Sequence, residues 1–436
     1  IELIDLDDTI VACSSPPGVG AISLIRVSSP DISFLTESLS LSELKANEAK
    51  VTEIELKKDL KEKCVLTLFK KPNSFTGEDI LEVSCHGNPL IVSLLVSYFV
   101  SKGCREAKPG EFSLRSFVNN KLTILEAEAI DDLINAETEE QLLASSRSLS
   151  GSFDSKIDLV VEKLKNLRIY VESNIDFSDD EIIDDFHEFK SNLNDFNHFL
   201  DEFIDEVGAS KYLNEGVKVV LTGPPNVGKS TLMNYFTGVK TSIVSEIPGT
   251  TRDIVRKEVK INNLKFSLHD TAGIREATKD PIETEGIKLA NKIIKDCDLI
   301  IEIIDKNTKN YFRSYNKPVI RILNKIDISD YRDKDRLNLS FFDKRDLTKL
   351  SNELFKALKI PTNLNNISFS ARSRHISLLY EARKEIFESL KFKNDSDLEL
   401  IAENLKRASD LVGEIKAPYS SDQLLSEIFS SFCIGK

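Results

Sequence analysis

The stretch VKVVLTGPPNVGKS, residues 217–230, decides the fold. A β-branched run, Val217–Thr222, leads into Gly223, and the pattern closes on Gly228, Lys229 and Ser230 as GxxxxGKS. A strand, a glycine-rich turn and a helix start are what a phosphate-binding loop requires. The glycines let the backbone curl so that successive N–H groups face inward, and the helix adds its positive N-terminal end. Lys229 is expected to reach the β- and γ-phosphates, and Ser230 to offer an oxygen to Mg²⁺. Asn226, Val227 and Thr231 complete the expected cradle. An accidental glycine-rich turn is the competing reading, and the strand before and helix after it speak against that.

Reading outward from this loop, SEIPGTTRD (residues 245–253) carries hydroxyls in a Gly/Pro turn. Thr251 is the candidate to complete the Mg²⁺ shell, with Ser245 and Thr250 beside it. DTAG (residues 270–273) follows the apolar run Leu264–His269. Asp270 is expected to hold Mg²⁺ through water, with Thr271 and Ala272 in the same loop. The Gly273 N–H is expected to sense the γ-phosphate. Ile274 stands where Ras-like proteins place a glutamine, so another group must orient the attacking water. NKID (residues 324–327) follows the run Val319–Leu323. The Asp327 carboxylate can accept from guanine N1–H and the 2-amino group, which adenine does not offer there. Asn324 can reach N7, and the Lys325 stem can cover the base. Ser370, Ala371 and Arg372 stand where a fifth loop meets guanine O6 through a backbone N–H.

The runs Val217–Thr222, Leu264–His269, Leu299–Ile304 and Val319–Leu323 alternate with helical patterns, which predicts a parallel α/β sheet. On either side the pattern is helical. Ile157, Val160, Val161, Leu164, Leu167 and Val171 share one face. Phe186, Phe189, Leu193, Phe196, Leu200, Ile204 and Val207 follow a near-heptad seam. The acidic stretch 176–185 interrupts the two. Leu379, Ala382, Ile386 and Leu390, then Leu398, Ile401, Leu405, Ala408 and Val412, continue the helical pattern, and Asp422 is a candidate N-cap. Toward the N-terminus, Thr9–Ala12, Ala21–Val27, Val65–Phe69 and Ile80–Ser84 read as strands, and Leu90–Val100 as a buried helix.

The expected organisation is multidomain. Residues 1–120 form an α+β domain, 121–213 and 375–436 the two halves of an all-α domain, and 214–374 an inserted α/β P-loop domain. Two separate helical modules are the alternative.

The 436 residues, 41% of them hydrophobic, suffice for such cores. No apolar run approaches a membrane span. The acidic opening is not a targeting signal, and Ile1 in place of Met leads us to expect a missing or processed start. The six cysteines show no metal-binding spacing, so reduced cytoplasmic thiols are expected. A net charge of −13 disfavours a protein whose main task is to grip phosphate backbones, so any RNA contact needs a local patch or a partner.

GPPNVGKS, IPGTTRD, DTAGIRE and NKID within a helical frame, FTGEDILE (75–82), PGEFSLRSFVNNKL (109–122) and the closing FCIGK (432–436) together resemble the MnmE (TrmE) family of tRNA-modification GTPases along the whole chain. The resemblance implies a homodimer with an N-terminal tetrahydrofolate-binding and dimerisation domain. It also implies work with the FAD-containing partner MnmG on the wobble uridine of tRNA. A one-carbon unit from 5-formyltetrahydrofolate or another tetrahydrofolate would build a (carboxymethyl)aminomethyl group.

It further implies K⁺ in place of an arginine finger, held by Asn226 with Ser245, Ile247 and Thr250. A cation there offsets charge on the leaving phosphate. The family's ExxG spacing selects Glu283 to orient water, with Glu285 as runner-up. Arg26, Glu82, Lys121 and Lys436 match its folate positions; without the resemblance each reads as a surface or structural ion pair. Cys433 is either a thiol brought near the folate or an inert packed cysteine.

Two other readings are weighed. A ribosome-assembly or checkpoint GTPase shares the loop motifs, but it would be expected to carry a basic RNA-binding module. A folate-binding scaffold with a decayed GTPase is disfavoured by the intact Lys229, Ser230, Thr251, Asp270 and Asp327.

Overall fold

The computed structural model describes residues 7–39, 44–176, 186–238, 256–270, 292–311, 314–392, 397–416, 428–430, 432 and 435. They divide into two compact units, residues 1–134 with 413–436, and residues 135–412.

The first unit is built on a six-stranded sheet: β1 (Ile10–Cys13), β2 (Ile22–Ser29), β3 (Ala49–Lys57), β4 (Leu60–Phe69), β5 (Asp79–His86) and β6 (Arg105–Glu106). The order is β3-β4-β5-β2-β1-β6, antiparallel except for the parallel β1–β6 pair. Alternation drives one face inward. Ile25 and Val27 of β2, Leu66 and Leu68 of β4, and Leu81 and Val83 of β5 form one core.

Helix α1 (Ser33–Ser38) precedes β3, and α2 (Pro89–Ser101) lays Leu95 and Phe99 into that core. Helix α2 starts where the sequence permits. The Asn88 side chain accepts from Leu90 N–H, and Pro89 occupies a position that needs no donor. Helices α3 (Glu111–Val118) and α4 (Ile124–Asn135) follow. Arg115 is fully buried, which requires compensation. It is paired with Asp8, Glu78 and Glu111.

The C-terminal residues return to this unit. Phe429 stands within ring contact of Phe117, and the Ser14 hydroxyl donates to the Gly435 carbonyl at 2.9 Å.

The second unit carries α5 (Glu139–Leu149), α6 (Ser152–Asp176), α7 (Phe186–Glu215) and a second six-stranded sheet. Thr138 and Gln141 form a reciprocal cap at the start of α5. On α7 the expected seam is buried at Phe189, Leu193, Phe196, Leu200, Ile204 and Val207. The sheet comprises β7 (Val217–Thr222), β8 (Arg256–Ile261), β9 (Leu264–Asp270), β10 (Leu299–Ile304), β11 (Val319–Leu323) and β12 (Leu337–Asn338), in the order β12-β11-β10-β7-β9-β8.

All neighbours are parallel except the β8–β9 hairpin. That hairpin turns on Asn262 and Asn263, both at positive φ, where asparagine is tolerated. Helix α8 (Lys229–Gly238) follows the glycine-rich loop, and α9 (Lys344–Ala357), α10 (Ser373–Lys391) and α11 (Leu398–Lys416) come later in the chain. The apolar runs of β7 and β10 are buried nearly throughout, as a parallel sheet covered on both faces demands.

The chain is thus multidomain, with an α+β N-terminal part, long helices and an α/β sheet bearing the P-loop. Strands β3 and β8 were not among the expected ones. Both are rich in Lys and Glu, and pairing to β4 and β9 decides their state.

The expected helix start at Asp422 and most of the acidic break at 176–185 lie outside the described residues. Among the described residues, no helix is long and apolar enough to cross a membrane. The five described cysteines are free, and burial pushes Cys64 and Cys104 up to about 12 and Cys85 up to about 11, which fits inert packed thiols.

Candidate functional site: a nucleotide loop and a second polar cluster

Strand β7 delivers Gly223 at φ 135°, and Gly228 follows at φ 110°. A methyl group on Gly223 would stand 2.0 Å from the Ile303 carbonyl oxygen, and one on Gly228 2.4 Å from Asn324 Nδ2. Only glycine allows both approaches. Asn226, between them, is itself left-handed at φ 62°.

The Lys229 ammonium lies inside the loop, donating to the Gly223 and Pro224 carbonyls at 2.7 Å each. Burial lowers its pKa, opposed by the nearby Asp270 carboxylate. Asp270 ends β9 beside the loop, because the register pairs it with Leu221. Ser230 is exposed at the start of α8, with Thr231 next to it.

The NKID segment is fastened onto this loop. Asn324 Nδ2 donates to the Val227 carbonyl at 2.8 Å, and its Oδ1 accepts from Phe341 N–H at 3.3 Å. So one amide hydrogen of Asn324, expected to face N7, is used within the protein. Lys325 adopts φ 63° and donates to the Asn226 carbonyl at 2.7 Å and to Asp305 Oδ2 at 2.9 Å.

Burial acts to raise the Asp305 pKa, but hydrogen bonds from Lys325 and Thr308 outweigh it and hold this carboxyl below its usual range. Asp327, two residues on from Lys325 in the chain, is exposed. Ser370 and Ala371 are buried just before α10. Ser370 N–H donates to Ser148 Oγ at 2.7 Å and Arg372 N–H to His375 Nδ1 at 3.1 Å. Between them, Ala371 N–H has no protein acceptor among the described residues.

The remaining expected ligands, Ser245, Ile247, Thr250, Thr251, Thr271, Ala272, Gly273, Glu283 and Glu285, lie outside the described residues. Among the described residues there is no cluster of three His, Cys, Asp or Glu able to hold a metal. A loop of this kind does not need one, since hydroxyl and phosphate oxygens supply the ligands.

The first unit holds the second cluster. Arg26 and Glu82 face each other across β2 and β5, at 2.6 Å. The Arg26 guanidinium lies over the Phe75 ring at 5.4 Å and near Phe112 at 6.0 Å, so it is stacked as well as paired. Lys121 is exposed, its stem against Gly77. Gly435 lies against Cys13, one residue beyond Ala12, the strand partner of Arg26. Cys433 and Lys436 lie outside the described residues.

Sequence reasoning missed Phe75, Phe112, Asp305 and the contacts of Ser148. Phe75 and Phe112 become visible only when a loop and a helix are laid over the Arg26 strand, and Asp305 only when two strand ends meet. The serine-rich run 145–152 was a signal for the fourth.

Known proteins resemble this chain along nearly its whole length. The family described as "MnmE helical domain" matches residues 124–433, and "GTP-binding protein TrmE N-terminus" matches residues 9–121. Proteins named tRNA modification GTPase MnmE from Coxiella burnetii (strain Dugway 5J108-111) and Francisella tularensis subsp. tularensis (strain FSC 198) are each 36% identical, over 98% of this chain and 99% of their own. The G domain of the T. maritima FeoB iron transporter aligns with 32% of this chain and 98% of its own, at 24% identity and a TM-score of 0.27. With both family descriptions and full-length relatives in agreement, the chain belongs to the MnmE (TrmE) family of tRNA modification GTPases.

Proposed function

We propose that this chain binds GTP between the loop at 223–230 and the segment at 324–327, and hydrolyses it in the modification of the tRNA wobble uridine. The observation that carries this reading is the double fastening of the base-reading segment to the phosphate loop, Asn324 to Val227 and Lys325 to Asn226. Phosphate and base contacts thereby sit on one rigid frame, with Lys229 at the phosphate end and Asp327 at the base end.

Asp327 takes guanine N1–H and the 2-amino group, the second hydrogen of Asn324 Nδ2 reaches N7, and Ala371 N–H meets O6. Exposed Ser230 and neighbouring Asp270 suit a Mg²⁺ shell completed by Thr251. Asn226, already in a left-handed turn beside the phosphate position, suits a K⁺ site with Ser245, Ile247 and Thr250. With both cations bound, positive charge stands where the leaving phosphate becomes more negative. Gly273 senses the γ-phosphate, and Glu283 orients the attacking water.

In the first unit, Arg26, Glu82, Lys121 and Lys436 form a tetrahydrofolate site. Glu82 accepts from the pterin amino and ring N–H groups, and Arg26 and Lys121 face the folate's anionic or formyl oxygens. A cytoplasmic homodimer working with the FAD-containing MnmG would pass the folate's one-carbon unit toward tRNA. The domain partition that goes with this is 1–120, 121–213, 214–374 and 375–436.

The test is GTP hydrolysis by the purified chain in potassium and in sodium at equal ionic strength. Turnover is expected to be fast only in potassium. Asn226→Ala is expected to remove that stimulation while leaving nucleotide binding within a few-fold. Equal, slow turnover of the unsubstituted chain in both salts would sink the cation site.

A further inference from the structure

The loop that carries Ala371 is held from outside its own sheet. Helices α5, α6 and α7 grip it along its length. Arg147 of α5 donates through one nitrogen to the carbonyls of Asn365 and Ile367, at 3.0 and 2.9 Å. Ser152 of α6 donates to the Ser368 carbonyl at 3.1 Å, and Ser210 of α7 to the Phe369 carbonyl. Asn214 of α7 donates to the Ser370 hydroxyl, and Glu215 accepts from both Ser373 N–H and Ser373 Oγ, at 2.7 and 2.6 Å. The Phe369 ring stacks on Phe153 of α6 at 4.7 Å.

Ser148 holds the centre of this grip. Its hydroxyl accepts from Ser370 N–H at 2.7 Å and lies 3.4 Å from the Ser370 carbonyl, to which it donates. One buried hydroxyl thus holds both ends of the residue that precedes Ala371, and fixes the plane of the peptide that feeds the Ala371 N–H. A hydrogen bond to a ligand tolerates only a few tenths of an ångström in length. Freedom at Ser370 is therefore freedom at the N–H that meets the base.

We infer that Ser148, on α5, is a positioning residue for guanine recognition: it holds Ala371 N–H on the 6-oxygen of the base. This rests on the proposed reading of 370–372 as the base-facing loop. It adds that a helix distant in sequence from every nucleotide motif sets nucleotide affinity and specificity, so that the helices and the base site are energetically coupled and each must respond to the other. Ser148 touches no reacting atom, so its effect belongs in KM and not in kcat.

The experiment compares the unsubstituted chain and Ser148→Ala, each with GTP and with 2-aminopurine riboside triphosphate, a purine nucleotide that lacks the 6-oxygen and, with it, the N1–H that Asp327 would take; the comparison of chain with variant on each nucleotide isolates the 6-oxygen contact. Loss of one buried hydrogen-bonded group is expected to raise KM for GTP by roughly tenfold, with kcat within about twofold. For the nucleotide without the 6-oxygen, the variant and the unsubstituted chain are expected to agree within about twofold, because the contact being positioned is missing. An equal loss for both nucleotides would mean that Ser148 only supports the fold, and would overturn the inference. Unchanged KM for GTP would overturn it as well. If the unsubstituted chain does not distinguish the two nucleotides, the reading of 370–372 itself fails, a result separable from the other two. Should Ser148→Ala not fold, Arg147→Ala, at an exposed position of the same grip, gives the same comparison with an expected rise of roughly threefold in KM for GTP.

Discussion

At Gly228 one methyl group separates a working loop from a broken one. The residue sits at φ 110°, where any L side chain is strained, and a Cβ there would lie 2.4 Å from Asn324 Nδ2. That nitrogen cannot simply withdraw, since it holds the Val227 carbonyl. Gly228→Ala therefore both strains the loop and pushes the base-reading segment from it. Strain of this kind costs about 1–3 kcal/mol and the lost bond about another 1 kcal/mol, so GTP affinity is expected to fall by roughly 10²-fold. Nucleotide titration with circular dichroism as a folding control checks this; near-normal affinity would show that the loop can re-form around a side chain.

The turn made by Gly223 and Gly228, with Lys229 inside it, was legible in sequence because the close approaches of the backbone fix residue type and spacing. Asp305 was not. It meets Lys325 only because β10 and β11 run parallel and end together, and one chain read in order does not display that.

Helix α7 shows the same division one level up. Its seam was readable because apolar residues recur every three or four positions from Phe186 to Val207, most of the length of the helix Phe186–Glu215. Leu200, at 0% exposure on that seam, has no polar role, so its substitution isolates packing. Leu200→Ala is expected to cost about 2–5 kcal/mol through lost burial and the cavity left behind. Thermal or denaturant unfolding measures the loss, and a change under about 1 kcal/mol would mean that the neighbouring helices close the gap.

Strands β3 and β8 were harder. The charged residues that hide them in the sequence also suit sheet edges, where both stand. The polar contacts from α5, α6 and α7 to residues 365–373 were harder still. Serine and asparagine on a helix read as solvent-facing until another backbone is placed against them.

For the molecule as a whole, the separation of the two clusters matters most. The phosphate loop belongs to residues 135–412, whereas Arg26, Glu82 and the C-terminal Gly435 belong to the other compact unit. One substitution can therefore disturb the proposed folate site and leave the nucleotide site alone. Gly435 is suited to this. It adopts φ 90°, and a Cβ there would lie 2.5 Å from the Cys13 carbonyl oxygen. Its own carbonyl accepts from Ser14 Oγ, so a side chain would lift the segment that carries Lys436 away from β1, next to the Arg26 strand.

Gly435→Ala is accordingly expected to weaken tetrahydrofolate binding by roughly tenfold, the scale of one displaced charged contact. GTP turnover in potassium should stay within about twofold, because no residue of the phosphate loop has moved. Equilibrium binding of 5-formyltetrahydrofolate, followed beside GTP turnover on the same preparation, distinguishes the outcomes. Loss of folate binding alone supports a tail that completes the folate site. Loss of both would show that the units communicate through the tail. Unchanged folate affinity would remove Lys436 from the site and leave Arg26, Glu82 and Lys121 to hold the ligand.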